Sequence, residues 1–196
     1  MKRDTPLEEI AACLGDGQYV VLDTETTGLR SPELVSIAVI RASGETILEA
    51  MVRPGRSMEP GAAAITGITD LQLADSPEFP AIHDRVRSAI GGRKVAIYNA
   101  AYDLQVLENT CRRYRLTLPS FEPWCVMEWF ARLYGEWNAA RRTFTWQRLA
   151  VAADYFAVPA EAAHTALGDC RTTCRIIEAA LQRARSAAQA TMDPLF

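Results

Sequence analysis

Two carboxylates stand two positions apart in VVLDTETTGL, residues 20–29. Side chains at i and i+2 of a strand share a face, so Asp23 and Glu25 lie side by side with Thr24 turned away. They close the apolar run from Tyr19 to Leu22, where a buried strand is expected to give way to solvent. Two partly desolvated carboxylates in that position need a shared proton or a cation. Hard divalent cations with oxygen ligands meet that need, and Mg²⁺ combines a few carboxylates with waters and a substrate phosphate. A bare D-x-E pair has little specificity, since a solvated acidic strand end reads the same way. Further acidic residues shift the balance. Asp103 falls in the first turns of a helix after KVAIYN, where the helix dipole favours an anion. Asp169 belongs to AHTALGDCRTT, with His164 five residues before it. That offset turns about 140° on a continuous helix, so the two converge only if His164 sits in the preceding loop or the first turn.

The elements that must position these residues follow from periodicity. PLEEIAACL (6–14) reads as a short amphipathic helix with Pro6 near its start and Gly15 after its end. ELVSIAVIRA (33–42) and GETILEAMVRP (44–54) are β-branched segments around a Ser-Gly turn, a hairpin beside the first strand. EPGAAAITGITD has helix-then-turn character, and EFPAIHDRVRSAIGG a helix closed by glycines. KVAIYN is another short strand, and the helix AAYDLQVLENTCRRYRL follows it with Asn99 as its cap. CVMEWFARLYG, TWQRLAVAADYFAV and HTALGDCRTTCRIIEAALQRA are three more helical stretches. Strands come early and helices late, which gives an α/β domain, and the short turn between the second and third strands requires antiparallel pairing there.

At 196 residues the chain can bury one core and is too short for two ordinary domains. One domain is expected over residues 1–186, with its core at 18–182 and a tail at 187–196. Apolar residues at 49% and charged residues at 23% match a soluble globular protein, and no apolar stretch approaches the roughly 20 residues of a membrane span. MKRDTPLEEI lacks the apolar region of a secretory signal, so a cytoplasmic location is expected. Five cysteines without a CxxC pair suit reduced thiols, with Cys170 and Cys174 as helix packing residues. A net charge of -3 offers no whole-surface attraction for nucleic acid, although cations loaded onto carboxylates change the local field.

DTETTGL, YNAAYDLQVL and HTALGDCRTT, in that order and at these separations, resemble the three motifs of the DEDDh (DnaQ-like) 3′-to-5′ exonucleases, a branch of the ribonuclease H-like fold. The resemblance spans residues 18–182, and three ordered motifs are far more specific than one. It implies a mixed five-stranded sheet with one antiparallel strand, flanked by helices. It also implies that Asp23, Glu25, Asp103 and Asp169 bind metal and that His164 is the histidine of the subgroup. Two cations, Mg²⁺ or Mn²⁺, about 4 Å apart can activate water and stabilise both oxygens of an in-line phosphodiester displacement. Asp23 is expected to bridge both. An imidazole, with an unperturbed pKa near 6.5, suits removal of the water's proton at neutral pH. The products would be nucleoside 5′-monophosphates.

The partner implied is nucleic acid with a free 3′ end, DNA favoured over RNA. In relatives the stretch Thr24, Thr26, Thr27, Gly28 and Leu29 lines the pocket for the terminal nucleotide, with Gly28 allowing close approach and Leu29 pressing on the last base. Asn99 and Tyr102 are further contacts from the second motif. Thr66 stands where a histidine is common. GEWNAARRTFTWQRL interleaves arginines with aromatics, so Arg141 and Arg142 are candidates for phosphate contacts, while Trp146 is expected inside the helical period and the core. The terminal ATMDPLF, ending in Leu195 and Phe196, faintly resembles peptides that bind the sliding clamp, which suggests a clamp or polymerase contact. Aspartyl-phosphate phosphatases also open on acidic residues after a strand, but as D-x-D and with a lysine this chain does not place well. A noncatalytic nucleic-acid binder and an RNA-trimming relative of the RNase T and oligoribonuclease groups remain the alternatives.

Overall fold

The computed structural model describes residues 5–192. Along the chain run α1 (Pro6–Leu14), β1 (Tyr19–Thr26), β2 (Leu34–Arg41), β3 (Thr46–Met51), α2 (Pro60–Thr66), α3 (Asp70–Leu73), α4 (Phe79–Ile90) and β4 (Lys94–Ile97). Then follow α5 (Ala100–Arg113), β5 (Glu122–Cys125), α6 (Val126–Tyr134), β6 (Trp137–Asn138), β7 (Thr143–Phe144), α7 (Leu149–Phe156) and α8 (Ala166–Met192). The five main strands lie in the order β3-β2-β1-β4-β5. β2 runs antiparallel to β1 and β3, while β4 is parallel to β1 and to β5. The fold is therefore a mixed five-stranded sheet with a single antiparallel strand, the arrangement the resemblance implies.

β1 is central because it is apolar on both faces. Tyr19 and Val21 face a layer built from α1, α6, α7 and α8, whereas Val20 and Leu22 face α4 and α5. The crossover helices α4 and α5, which lead into the parallel strands β4 and β5, cover one face and the remaining helices cover the other, so β1 is buried on both sides. On the first face Trp129 anchors α1: its indole N–H donates to the Pro6 carbonyl at 2.6 Å and its ring stacks on Phe156. Cys170 and Cys174 of α8 are buried as packing residues, and all five cysteines are free.

Several local expectations are revised. β1 continues to Thr26, so Asp23 and Glu25 lie within the paired strand and not beyond its end. β5 has no periodic signal of its own, because an edge strand containing Pro123 needs few apolar residues. Residues 137–144 form a small hairpin in place of a plain loop. α7 begins at Leu149, so Trp146 lies outside the helix and is 60% exposed; it is not a core residue. Asn99 occupies the first cap position of α5, but its side chain makes no capping bond. Leu195 and Phe196 lie outside the described residues. No helix among the described residues is long and apolar enough to cross a membrane.

Because Trp129 is 1% exposed and ties α1 to the core, Trp129→Ala is expected to destabilise the fold by about 3–5 kcal/mol in urea unfolding. A loss below about 1 kcal/mol would show that α1 packs independently of it.

Candidate active site

The acidic residues meet at the C-terminal edge of β1. Asp23 and Glu25 continue the face of Tyr19 and Val21, which is covered by α8, and Asp169 sits in the first turn of that helix. Carboxylate oxygens of Asp23, Glu25 and Asp169 all lie within 4.8 Å of one another. Asp103 enters from the first turn of α5 and is 3% exposed. Thr24, on the opposite face of β1, donates its hydroxyl proton to Asp103 Oδ1 at 2.6 Å. The strand alternation thus separates the roles: odd positions hold charge, and the residue between them fixes the fourth carboxylate.

Close packing makes these charges mutually unfavourable. Burial pushes Asp23 well above the carboxylate range, and the charges of Asp103, Asp169 and Glu25 add to it. Glu25 is pushed up to about 7, first by burial and then by Asp169 and Asp103. Burial also raises Asp103 to about 7, against the opposing hydrogen bond from Thr24. Asp169 is raised by burial, with His164 pulling the other way. No hydrogen bond or ion pair to the carboxylates of Asp23 or Glu25 is formed by the described residues. An all-oxygen, anionic and unpartnered donor set of this kind fits hard divalent cations.

His164 occupies the turn before α8 with φ 65°, the left-handed region, so the condition for its convergence with Asp169 is met. The loop before α8 is held from the helix itself. Glu161 pairs with Arg171 at 3.3 Å and with Arg175, and its backbone N–H donates to the Thr172 hydroxyl. The loop folds so tightly onto the first turn that a Cβ on Gly168 would lie 2.5 Å from the Ala162 carbonyl oxygen and 2.7 Å from Thr165 Oγ1. Gly168 is thereby a requirement of the His164 position. It sits inside the third motif, and the need for a glycine there comes from how the loop just before it folds back, which the residue types do not mark.

A cavity of about 830 Å³ opens over the carboxylates, and Thr24, Leu29, Asn99, Tyr102 and His164 line it. Thr26, Thr27 and Gly28 do not line it. Thr27 is fully buried and its hydroxyl accepts from Glu33 N–H, while the Thr26 and Tyr102 hydroxyls bond each other and the Gly28 carbonyl. These residues shape the loop that presents Leu29, which is 83% exposed. Gly28, at φ 150°, lies under the Glu59 carboxylate, and Glu59 also accepts from Leu29 N–H at 3.3 Å. Arg141 and Arg142 belong to the hairpin connection and do not line the cavity, and Thr66 ends α2 with its hydroxyl on the Ala62 carbonyl. The cavity instead carries Arg148 and Trp146, neither of which was singled out for the site. The interleaving of arginine with aromatics was a usable signal, but it pointed a few residues too early.

Fold and site define a ribonuclease H-like domain with a carboxylate centre at the edge of its sheet. The RNase T exonuclease family model matches residues 20–177, and the chain belongs to the DEDDh (DnaQ-like) 3′-to-5′ exonucleases. An uncharacterized exonuclease of Escherichia phage 186 is 35% identical over 168 residues, which cover 82% of this chain and 86% of that protein. Exonuclease X, solved in complex with 5′ overhanging duplex DNA, has a TM-score of 0.61 at 26% identity, covering 82% of this chain and 90% of that one. Exonuclease I of E. coli, solved with a dT13 oligonucleotide, shares the fold with a TM-score of 0.68 at 20% identity, over 89% of this chain and 42% of that one. The protein is a 3′ exonuclease.

Two outcomes follow from the site's construction. Carboxyls raised in the folded state stabilise it fully below their unfolded values and cease to do so as pH rises through the folded values. For Glu25 the window runs from 4.5 to about 7 and for Asp103 from 3.8 to about 7, so the melting temperature in EDTA is expected to fall over that range. Added Mg²⁺ or Mn²⁺ should restore it more at pH 7.5 than at pH 5. A melting temperature in EDTA that rises over the same window would contradict the repulsive centre. Gly168→Ala is expected to retain the fold by circular dichroism while losing most nuclease activity through displacement of His164; wild-type activity would show that the loop tolerates the added methyl.

Proposed function

We propose that the protein removes nucleotides from the 3′ end of DNA and releases nucleoside 5′-monophosphates. Asp23, Glu25, Asp103 and Asp169 would hold two divalent cations, Mg²⁺ or Mn²⁺, and His164 would serve as general base. The observation that carries this reading is the group of Asp23, Glu25 and Asp169 oxygens within 4.8 Å, under a cavity that His164 also lines. Bound cations supply water activation and charge stabilisation at the attacking and leaving oxygens.

The chain's own residues account for the rest of the step. Tyr102 and the Thr26 hydroxyl brace the loop so that Leu29 presses on the terminal nucleotide. Arg148, the arginine in the cavity lining, is free of ion pairs among the described residues and suits a phosphate contact. His164 takes the water's proton while the water oxygen bonds to phosphorus and the bond to the preceding 3′ oxygen breaks. Exonuclease X, the neighbour at 26% identity, is described with DNA, which supports DNA as substrate.

Digestion of 5′-labelled single strands of DNA and RNA tests this. DNA should shorten from its 3′ end in Mg²⁺ or Mn²⁺, EDTA should stop it, and Asp23→Asn should be inactive. His164→Ala should lower kcat by roughly 10²–10⁴-fold at neutral pH. Faster cutting of RNA would move the substrate assignment, activity in EDTA would remove the cation role, and an unchanged kcat in His164→Ala would remove the general base.

A further inference from the structure

We propose that Trp146 is a stacking platform for an unpaired base of the substrate strand, so that the site engages single-stranded or frayed 3′ ends in preference to intact duplex. The inference rests on the nuclease reading above and adds where a base is held.

The chain has four tryptophans, and two of them show opposite treatments of the same side chain. Trp129 is 1% exposed, stacked and hydrogen-bonded. Trp146 is 60% exposed and lines the cavity over the carboxylates, and the described residues give its ring neither a stacking partner nor a hydrogen bond. An indole carries a large apolar area, and leaving it in water beside a concave site marks a contact surface. Leu29, 83% exposed, lines the same cavity from a different loop.

The backbone around Trp146 is pinned on both sides. Thr145 N–H donates to the Glu136 carbonyl at 2.8 Å across the β6–β7 hairpin. The Gln147 amide donates to Glu136 Oε2 at 3.0 Å, and the buried Tyr98 hydroxyl donates to the Gln147 carbonyl at 2.9 Å. A free loop tip would need none of these bonds. Together they hold an exposed ring at a set position, so little ordering remains when a ligand arrives.

A nucleobase is the partner of matching chemistry. Every base has a π-face, and base-aromatic stacking tolerates any sequence, as an exonuclease advancing along a strand requires. A base lying on Trp146 has left its own duplex stack, which costs least at a single-stranded, mismatched or frayed end. The indole therefore sets strand state and leaves sequence unread.

Fluorescence and kinetics together test the platform. A phosphorothioate (dT)4 in Mg²⁺ should quench the tryptophan emission of the wild type, and the quench should vanish in Trp146→Phe. Trp146→Ala should raise KM for single-stranded (dT)20 about tenfold, more than it lowers kcat, and should narrow the rate ratio of single strand over blunt duplex. Trp146→Phe should restore KM and that ratio, which a partner-docking role for the ring would not produce. An equal quench in Trp146→Phe, or a wild-type KM in Trp146→Ala, would overturn the platform while leaving the nuclease reading intact. A wild type that shows the Trp146 quench but cuts no DNA would support the platform and overturn the assignment of DNA as substrate.

Discussion

The repulsion among Asp23, Glu25, Asp103 and Asp169 is the constraint on which the rest of the structure depends. A folded domain has only roughly 5–15 kcal/mol of net stability, so a cluster of raised carboxyls is a substantial opposing contribution. It persists because each member is carried on an element that the apolar core holds independently. β1 is apolar on both faces up to Leu22, α8 packs along one face through Cys170 and Ile177, and α5 packs against the other through Val106 and Leu107. The core therefore sets the spacing, and the carboxylates have no freedom to separate. Such a centre is suited to cations, because ions would relieve a repulsion the fold itself maintains.

The same logic extends to residues that bear no charge in the reaction. Thr24 lies on the far side of β1 from Asp23, yet its hydroxyl orients Asp103, so one strand positions three of the four carboxylates directly or through a bond. Glu161 ties the loop before α8 to Arg171 and Arg175, and Gly168 lets that loop lie against the helix. His164 can then approach Asp169 despite an offset that a continuous helix would turn away.

The charged centre was legible in the sequence because its signals are local. Alternation within β1 pairs Asp23 with Glu25, a helix start carries Asp103, and the order of three motifs joins them to Asp169 and His164. The sheet was legible wherever strands were apolar: β1, β2, β3 and β4 announced themselves, and only the family resemblance supplied the fifth. What could not be read locally depends on contacts between distant segments. β5 is a strand because β4 offers it an edge. Trp146 has the same side chain as Trp129, and no periodicity distinguishes the tryptophan that meets the core from the one left at a cavity. Thr26 and Thr27 read as substrate contacts but have their hydroxyls committed to the loop, a distinction made by Tyr102 and Glu33 from elsewhere in the chain.

The chemistry of the walls explains why apolar contacts matter at an acidic site. A floor of carboxylates repels a phosphodiester until cations occupy it, and the net charge of -3 gives no compensating long-range attraction. Within the cavity lining, Arg148 carries the positive charge, too little to hold a strand by charge alone. Leu29, Trp146 and Met127 supply apolar surface on the same cavity. Stacking is insensitive to the sign of the floor and to the base presented, so it can retain a strand whose phosphates are poorly received. A site that concentrates negative charge must take its substrate's grip from elsewhere, and the exposed indole beside the carboxylates is the surface best suited to give it.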